Sequence, residues 1–106
     1  MFDDMSPAEF ARRRDDGELW QLLDVREKWE TDTASVSGSI LIPMGEVVAR
    51  HGELDMSTPL AVLCHSGIRS ASVAGYLARA GFSRVVNIAG GIDAWSISVD
   101  KGIPRY

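Results

Sequence analysis

The residues of this chain best suited to chemistry lie together in Cys64-His65-Ser66-Gly67-Ile68-Arg69-Ser70. A thiol followed by an imidazole, small polar residues and a guanidinium has the composition of a nucleophile set in an anion-binding loop. The thiolate is the reactive form of cysteine, and nearby donors and positive charge increase its population. Ser66 and Gly67 are small enough for successive amides to curl into a nest for negative charge. Arg69 adds a fixed charge and a planar fork of donors. A lone cysteine is otherwise most often a small buried apolar side chain, but such a residue has no need of an anion cradle.

Two elements must position this loop. Leu60-Ala61-Val62-Leu63, after Pro59, is a short apolar run that predicts a buried strand ending at Cys64. Val73, Tyr76, Leu77 and Ala80 recur at helical spacing, so a helix follows the loop and stops near Gly81. A strand that turns directly into a helix aims the thiol at unpaired backbone N–H groups and the positive end of the helix dipole.

The rest of the chain alternates in the same way. Ser6, Pro7 and Glu9 are an N-cap, a first-turn proline and a capping-box acid, predicting a helix to Asp15 with Gly17 as its stop. The cluster Arg12-Arg13-Arg14 reads as a solvated helix face. Residues 19–23 predict a strand with Asp24 at its carboxyl end, the side on which ligand sites gather in open α/β sheets. Asp24 and Cys64 then share a rim if their strands are parallel. Asp24 or Arg26 supports the loop by hydrogen bonds, or Asp24 caps the turn through Glu27, Lys28 and Trp29, as strand-end aspartates commonly do.

Residues 30–37 read as a polar surface loop, and residues 39–42 as a buried strand closed by Pro43. Residues 45–54 predict a short helix with Val47 and Val48 on one face and a surface His51 near its end. Residues 84–88 predict another buried strand. Gly90-Gly91 turns the chain into a helix whose Trp95 belongs to the core, and residues 100–106 form an irregular strap. This order implies a three-layer α/β domain with a mostly parallel central sheet flanked by helices.

With 106 residues, 45% hydrophobic and 25% charged, the chain suits one domain, 1–106, with a single core. A net charge of −4 argues against nucleic-acid binding. One cysteine cannot form an internal disulfide, which fits a reducing compartment. The acidic start lacks the basic and apolar regions of a signal peptide, and no apolar run approaches the ~20 residues of a membrane span. A cytoplasmic protein, a monomer or a weak homodimer, is expected.

The loop from Cys64 to Ser70 resembles the active-site loop of the rhodanese family of sulfurtransferases. Leu22-Leu23-Asp24-Val25-Arg26-Glu27, Gly38-Ser39-Ile40-Leu41-Ile42-Pro43 and Ala89-Gly90-Gly91-Ile92-Asp93-Ala94-Trp95 resemble three further family stretches in the same order. The set covers nearly the whole chain. Leu41 departs from the small polar or imidazole residue the family often has before this proline. The resemblance implies a Cys64 persulfide formed from a small anionic donor such as thiosulfate. The sulfur would pass to a thiol, a thioredoxin-like protein or, in the laboratory, cyanide. No metal or organic cofactor is implied.

Within the implied site, Arg69 binds donor oxygens or pairs with a rim carboxylate such as Asp24 or Glu27. His65 adds charge when protonated or shapes the entrance. Three other readings compete. Cysteine phosphatases and arsenate reductases resemble this site, but the phosphatases use a Cys-x5-Arg loop, whereas Cys64 and Arg69 enclose four residues. The tighter loop suits a single sulfur better than a tetrahedral oxyanion. A non-catalytic binding module and a sulfur carrier in a larger pathway are the remaining two.

Overall fold

The computed structural model describes residues 1–106. Strands β1 (Asp3–Met5), β2 (Gln21–Asp24), β3 (Ser39–Leu41), β4 (Leu60–Leu63) and β5 (Val85–Ile88) form one sheet in the order β1-β5-β4-β2-β3. Every pairing is parallel. Helices α1 (Pro7–Asp15), α2 (Lys28–Thr33), α3 (Val47–Arg50), α4 (Ile68–Arg79) and α5 (Gly91–Ser98) connect them.

The period-2 alternation of strand side chains divides the interior into two cores. Leu23, Val62 and Val85 pack with Val47, Val73 and Leu77 on one face. Their neighbours Leu22, Ala61 and Val86 pack with Phe10, Ile92 and Trp95 on the other. Strands covered on both sides lose the polar-apolar alternation of a half-exposed sheet, so β4 reads as a continuous apolar run and β5 as one interrupted only by Asn87. The result is the expected three-layer α/β arrangement, with β4 central and Cys64 just beyond its carboxyl end.

Several local expectations hold. The Glu9 amide donates to Ser6 Oγ at 3.1 Å, and α1 ends at Asp15. Trp95 is buried and meets Phe10 edge-on, as does Trp20 from the other side. The arginine cluster is a solvated face only in part: Arg12 is exposed and Arg13 pairs with Glu9 and Glu18 at the surface, whereas Arg14 is half-buried over the Phe10 and Trp95 rings. The tail is irregular, with Ile103 and Tyr106 packed against the core.

Others are corrected. The acidic start contains an edge strand, β1, whose three residues are too few to show a period and are held by pairing with β5. Strand β2 begins at Gln21, leaving Leu19 exposed, and β5 begins at Val85 while Arg84 lies over the Trp20 ring. The segment expected as a polar loop holds α2 and buries Glu30, Ala34 and Val36. Its helical turn closes locally, with the Glu27 amide donating to Glu30 Oε1 at 3.0 Å. Residues 45–54 split into 3-10 turns around a one-turn α3. There Val47 is buried and Val48 is 68% exposed, because adjacent residues on a helix point about 100° apart. His51 lies at the end of α3 as expected but is half-buried, packing edge-on against Tyr76 and Phe82. No helix is long and apolar enough to cross a membrane.

Candidate active site

Of the sequence-identified residues, the loop between β4 and α4 brings Gly67 and Ser70 within hydrogen-bond distance of the Cys64 sulfur. Cys64 is 1% exposed. Its Sγ accepts a hydrogen bond from the Gly67 amide at 3.0 Å and lies 3.2 Å from the Ser70 hydroxyl. Gly67 stands at φ +101°, a left-handed conformation that side chains resist, and a Cβ there would lie 3.1 Å from the Gly90 nitrogen. The curl that points its amide at sulfur therefore requires glycine.

The N-terminus of α5 fixes the loop from behind. The Ile92 amide donates to the Cys64 carbonyl at 2.9 Å, and the Asp93 amide donates to the His65 carbonyl at 3.1 Å. Gly91 passes so close that a Cβ would overlap both carbonyl groups. The Gly90-Gly91 pair thus does more than turn the chain, since it lets a helix end lie directly against the candidate nucleophile's backbone.

Burial works to raise the Cys64 thiol. Hydrogen bonds from the Ser70 hydroxyl and from the Ser70, Gly67 and Ser66 amides outweigh it, leaving the group below an ordinary thiol. Donors directed at sulfur in a nearly dry site favour the anion.

Arg69 is committed to a carboxylate, though not to either one named from sequence. Its guanidinium donates to both Glu30 oxygens, at 2.7 and 2.8 Å. The pair holds Glu30 at about 2, Arg69 being the main cause and the Tyr106 hydroxyl a further one. Asp24 and Arg26 form a buried pair one layer below. Arg26 Nη2 meets Asp24 Oδ2 at 2.6 Å, and the Arg26 amide donates to Asp24 Oδ1 at 3.0 Å. Asp24 thus bonds a local amide as expected, that of Arg26 and not those of Glu27, Lys28 or Trp29.

Tyr106 joins these pairs. Arg26 Nη1 donates to its hydroxyl at 2.9 Å, and that hydroxyl donates to Glu30 Oε2 at 2.6 Å. The His65 ring stacks on the Tyr106 ring with centroids 4.3 Å apart. The strap therefore walls the loop entrance, while Ser66 and Ile68 remain exposed on the rim. No group of three or more His, Cys, Asp or Glu side chains converges in a way that could hold a metal ion.

Sequence reasoning missed Glu30, Tyr106 and Asn87. Asn87 is 4% exposed and touches both the Ser70 hydroxyl and the Gly67 carbonyl. Its signal was a lone amide inside the apolar run Val85-Val86-Asn87-Ile88, since a buried polar side chain must find partners. Glu30 and Tyr106 carried no comparable signal, lying 39 and 37 residues from Arg69 with no pattern linking them.

This α/β sheet, with a cysteine loop at the end of its central strand, is that of the rhodanese-like domain family, which matches residues 6–98, and the chain belongs to that family. A putative sulfur carrier protein of Bacillus subtilis is 37% identical over 82% of this chain and 47% of its own length. The chain thus spans about half of that relative. A putative sulfurtransferase of the same organism is 38% identical over 76% of both chains. A rhodanese-like domain protein from Staphylococcus aureus superposes with a TM-score of 0.85 at 27% identity, covering 99% of each chain.

Proposed function

We propose that this protein is a sulfurtransferase acting through a persulfide on Cys64. The observation that carries this reading is the sulfur at the end of β4, held at 3.0 Å from the Gly67 amide and 3.2 Å from the Ser70 hydroxyl. In the first half-reaction the Cys64 thiolate attacks the outer sulfur of a small anionic donor such as thiosulfate. The donor's S–S bond breaks, and sulfite leaves with the electron pair. Cys64 then carries an S–S⁻ group, whose charge the loop amides stabilise as they stabilise the thiolate. In the second half-reaction a thiophilic acceptor attacks the outer sulfur and the Cys64 thiolate is released. Cyanide serves as acceptor in vitro. Thiols or thioredoxin-like proteins fit the same chemistry, and a reducing, cytoplasmic compartment keeps the thiol available.

Within this mechanism Ser66, Gly67 and Ser70 are the anion-binding donors, and Ile68 and His65 shape the entrance. Arg69 braces the loop through Glu30, and Asp24 and Arg26 support that brace through Tyr106. Commitment of Arg69 to Glu30 also weighs against phosphatase or arsenate-reductase chemistry, which needs a guanidinium free to face a tetrahedral oxyanion. A sulfur-carrier role uses the same persulfide and differs only in partner. The test is thiocyanate formation from thiosulfate and cyanide. Turnover by the wild type and none by Cys64→Ser is expected. Phosphate-ester hydrolysis that depends on Cys64, without thiocyanate, would overturn the reading.

A further inference from the structure

The Ser70 hydroxyl carries one proton and faces two acceptors. Its Oγ is 3.2 Å from Cys64 Sγ and 2.5 Å from Asn87 Oδ1, and Ser70 is fully buried. The Asn87 amide cannot reverse to relieve the competition. Its Nδ2 donates to Asp4 Oδ1 at 3.1 Å and to the Gly67 carbonyl at 3.3 Å, both groups that only accept. Oδ1 must therefore face Ser70.

We propose that Asn87 is a positioning residue that competes with Cys64 for the single Ser70 hydroxyl proton. When Cys64 is a thiol, S–H donates to Ser70 Oγ and Ser70 donates to Asn87 Oδ1, so every group is partnered. When Cys64 is a thiolate, the hydroxyl turns to sulfur and Asn87 Oδ1 loses its donor in a nearly dry site, which is unfavourable. The amides of the loop carry the thiolate against this opposition. In the persulfide the charge sits on the outer sulfur and Sγ becomes a weak acceptor, so the hydroxyl returns to Asn87. Asn87 thereby favours the loaded state over the free thiolate. That last step rests on the persulfide reading, whereas the competition for the proton does not.

The test is the pH dependence of Cys64 alkylation by iodoacetamide, which needs no sulfur donor. The protein forms compared are wild type, Ser70→Ala, the near-isosteric Asn87→Leu and the double variant. The same charged groups face the loop in all four: Arg69 with Glu30, Arg26 with Asp24, Asp93 with Arg105, His65, Tyr106, and Asp4 beyond Asn87, which loses its Asn87 donor in the two Asn87→Leu forms. Asn87→Leu should lower the apparent pKa by about half to one unit, and Ser70→Ala should raise it by about one unit. In the Ser70→Ala background, Asn87→Leu should have no further effect. An upward shift in Asn87→Leu, or the same shift in both backgrounds, would mean that Asn87 acts only through Gly67 and would overturn the proposal. If Asn87→Leu does not fold, the wild type still answers. The Asn87 side-chain amide resonances should titrate with Cys64, and this titration should vanish in Ser70→Ala. Its persistence there would contradict the proposal. Failure of thiosulfate to load Cys64 would leave these results untouched.

Discussion

At the residue scale, the loop works because small side chains let backbone donors reach sulfur. Gly67→Ala places a methyl in a left-handed conformation 3.1 Å from the Gly90 nitrogen, costing about 1–2 kcal/mol and turning the Gly67 amide away from Sγ. The expected outcome is a folded protein, by its urea midpoint, whose Cys64 alkylates at least severalfold more slowly at neutral pH. In the wild type the alkylation rate should stay high below the range of an ordinary thiol and fall only as pH drops through the lowered Cys64 pKa. A rate that rises only near the pKa of a free thiol would contradict the hydrogen-bond account. Cys64 and its donors were legible in the sequence because they are contiguous. Asn87 was legible only as an anomaly inside an apolar strand.

At the element scale, α2 and the C-terminal strap brace the loop through Glu30 and Tyr106. The folded-state pKa of Glu30 is depressed from 4.5 to about 2, so its contribution to stability is complete above the unfolded value and disappears as pH falls between them. Urea unfolding across that window should show a steep loss in the wild type and a shallower one in Glu30→Gln, which starts less stable. Equal slopes would show that Arg69 does not depend on this carboxylate. Tyr106→Phe removes the hydroxyl shared by Arg26 and Glu30 and should cost about 1 kcal/mol, measured by the same unfolding. The helix α2 escaped sequence reasoning because threonines and acids dominate its six residues and its first turn is closed by Glu30. Glu30, which reads as solvent-facing in the sequence, is in the fold the buried partner of Arg69.

At the scale of the whole molecule, the inner strands β2, β4 and β5 were readable because they are covered on both faces and so appear as largely apolar runs, whereas the edge strand β3, expected to be buried, leaves Ile40 exposed. Strand order and the edge strand β1 were not readable, since pairing partners leave no local pattern. Stability resides in the two cores rather than in the loop. Phe10, fully buried and meeting Trp20 and Trp95 edge-on, should cost about 3–5 kcal/mol when changed to alanine. The folded fraction of that variant should retain wild-type Cys64 reactivity. Reactivity lost in step with mild destabilisation would tie the loop to the far core more tightly than its contacts do.

The most direct measurement is the intact mass of the reduced protein after incubation with thiosulfate and desalting, with Cys64→Ser alongside. The account predicts a gain of one sulfur atom on the wild type alone, removed by cyanide or a thiol. No gain from thiosulfate or from a low-molecular-weight persulfide, on a protein whose thiol is intact, would contradict a Cys64 persulfide.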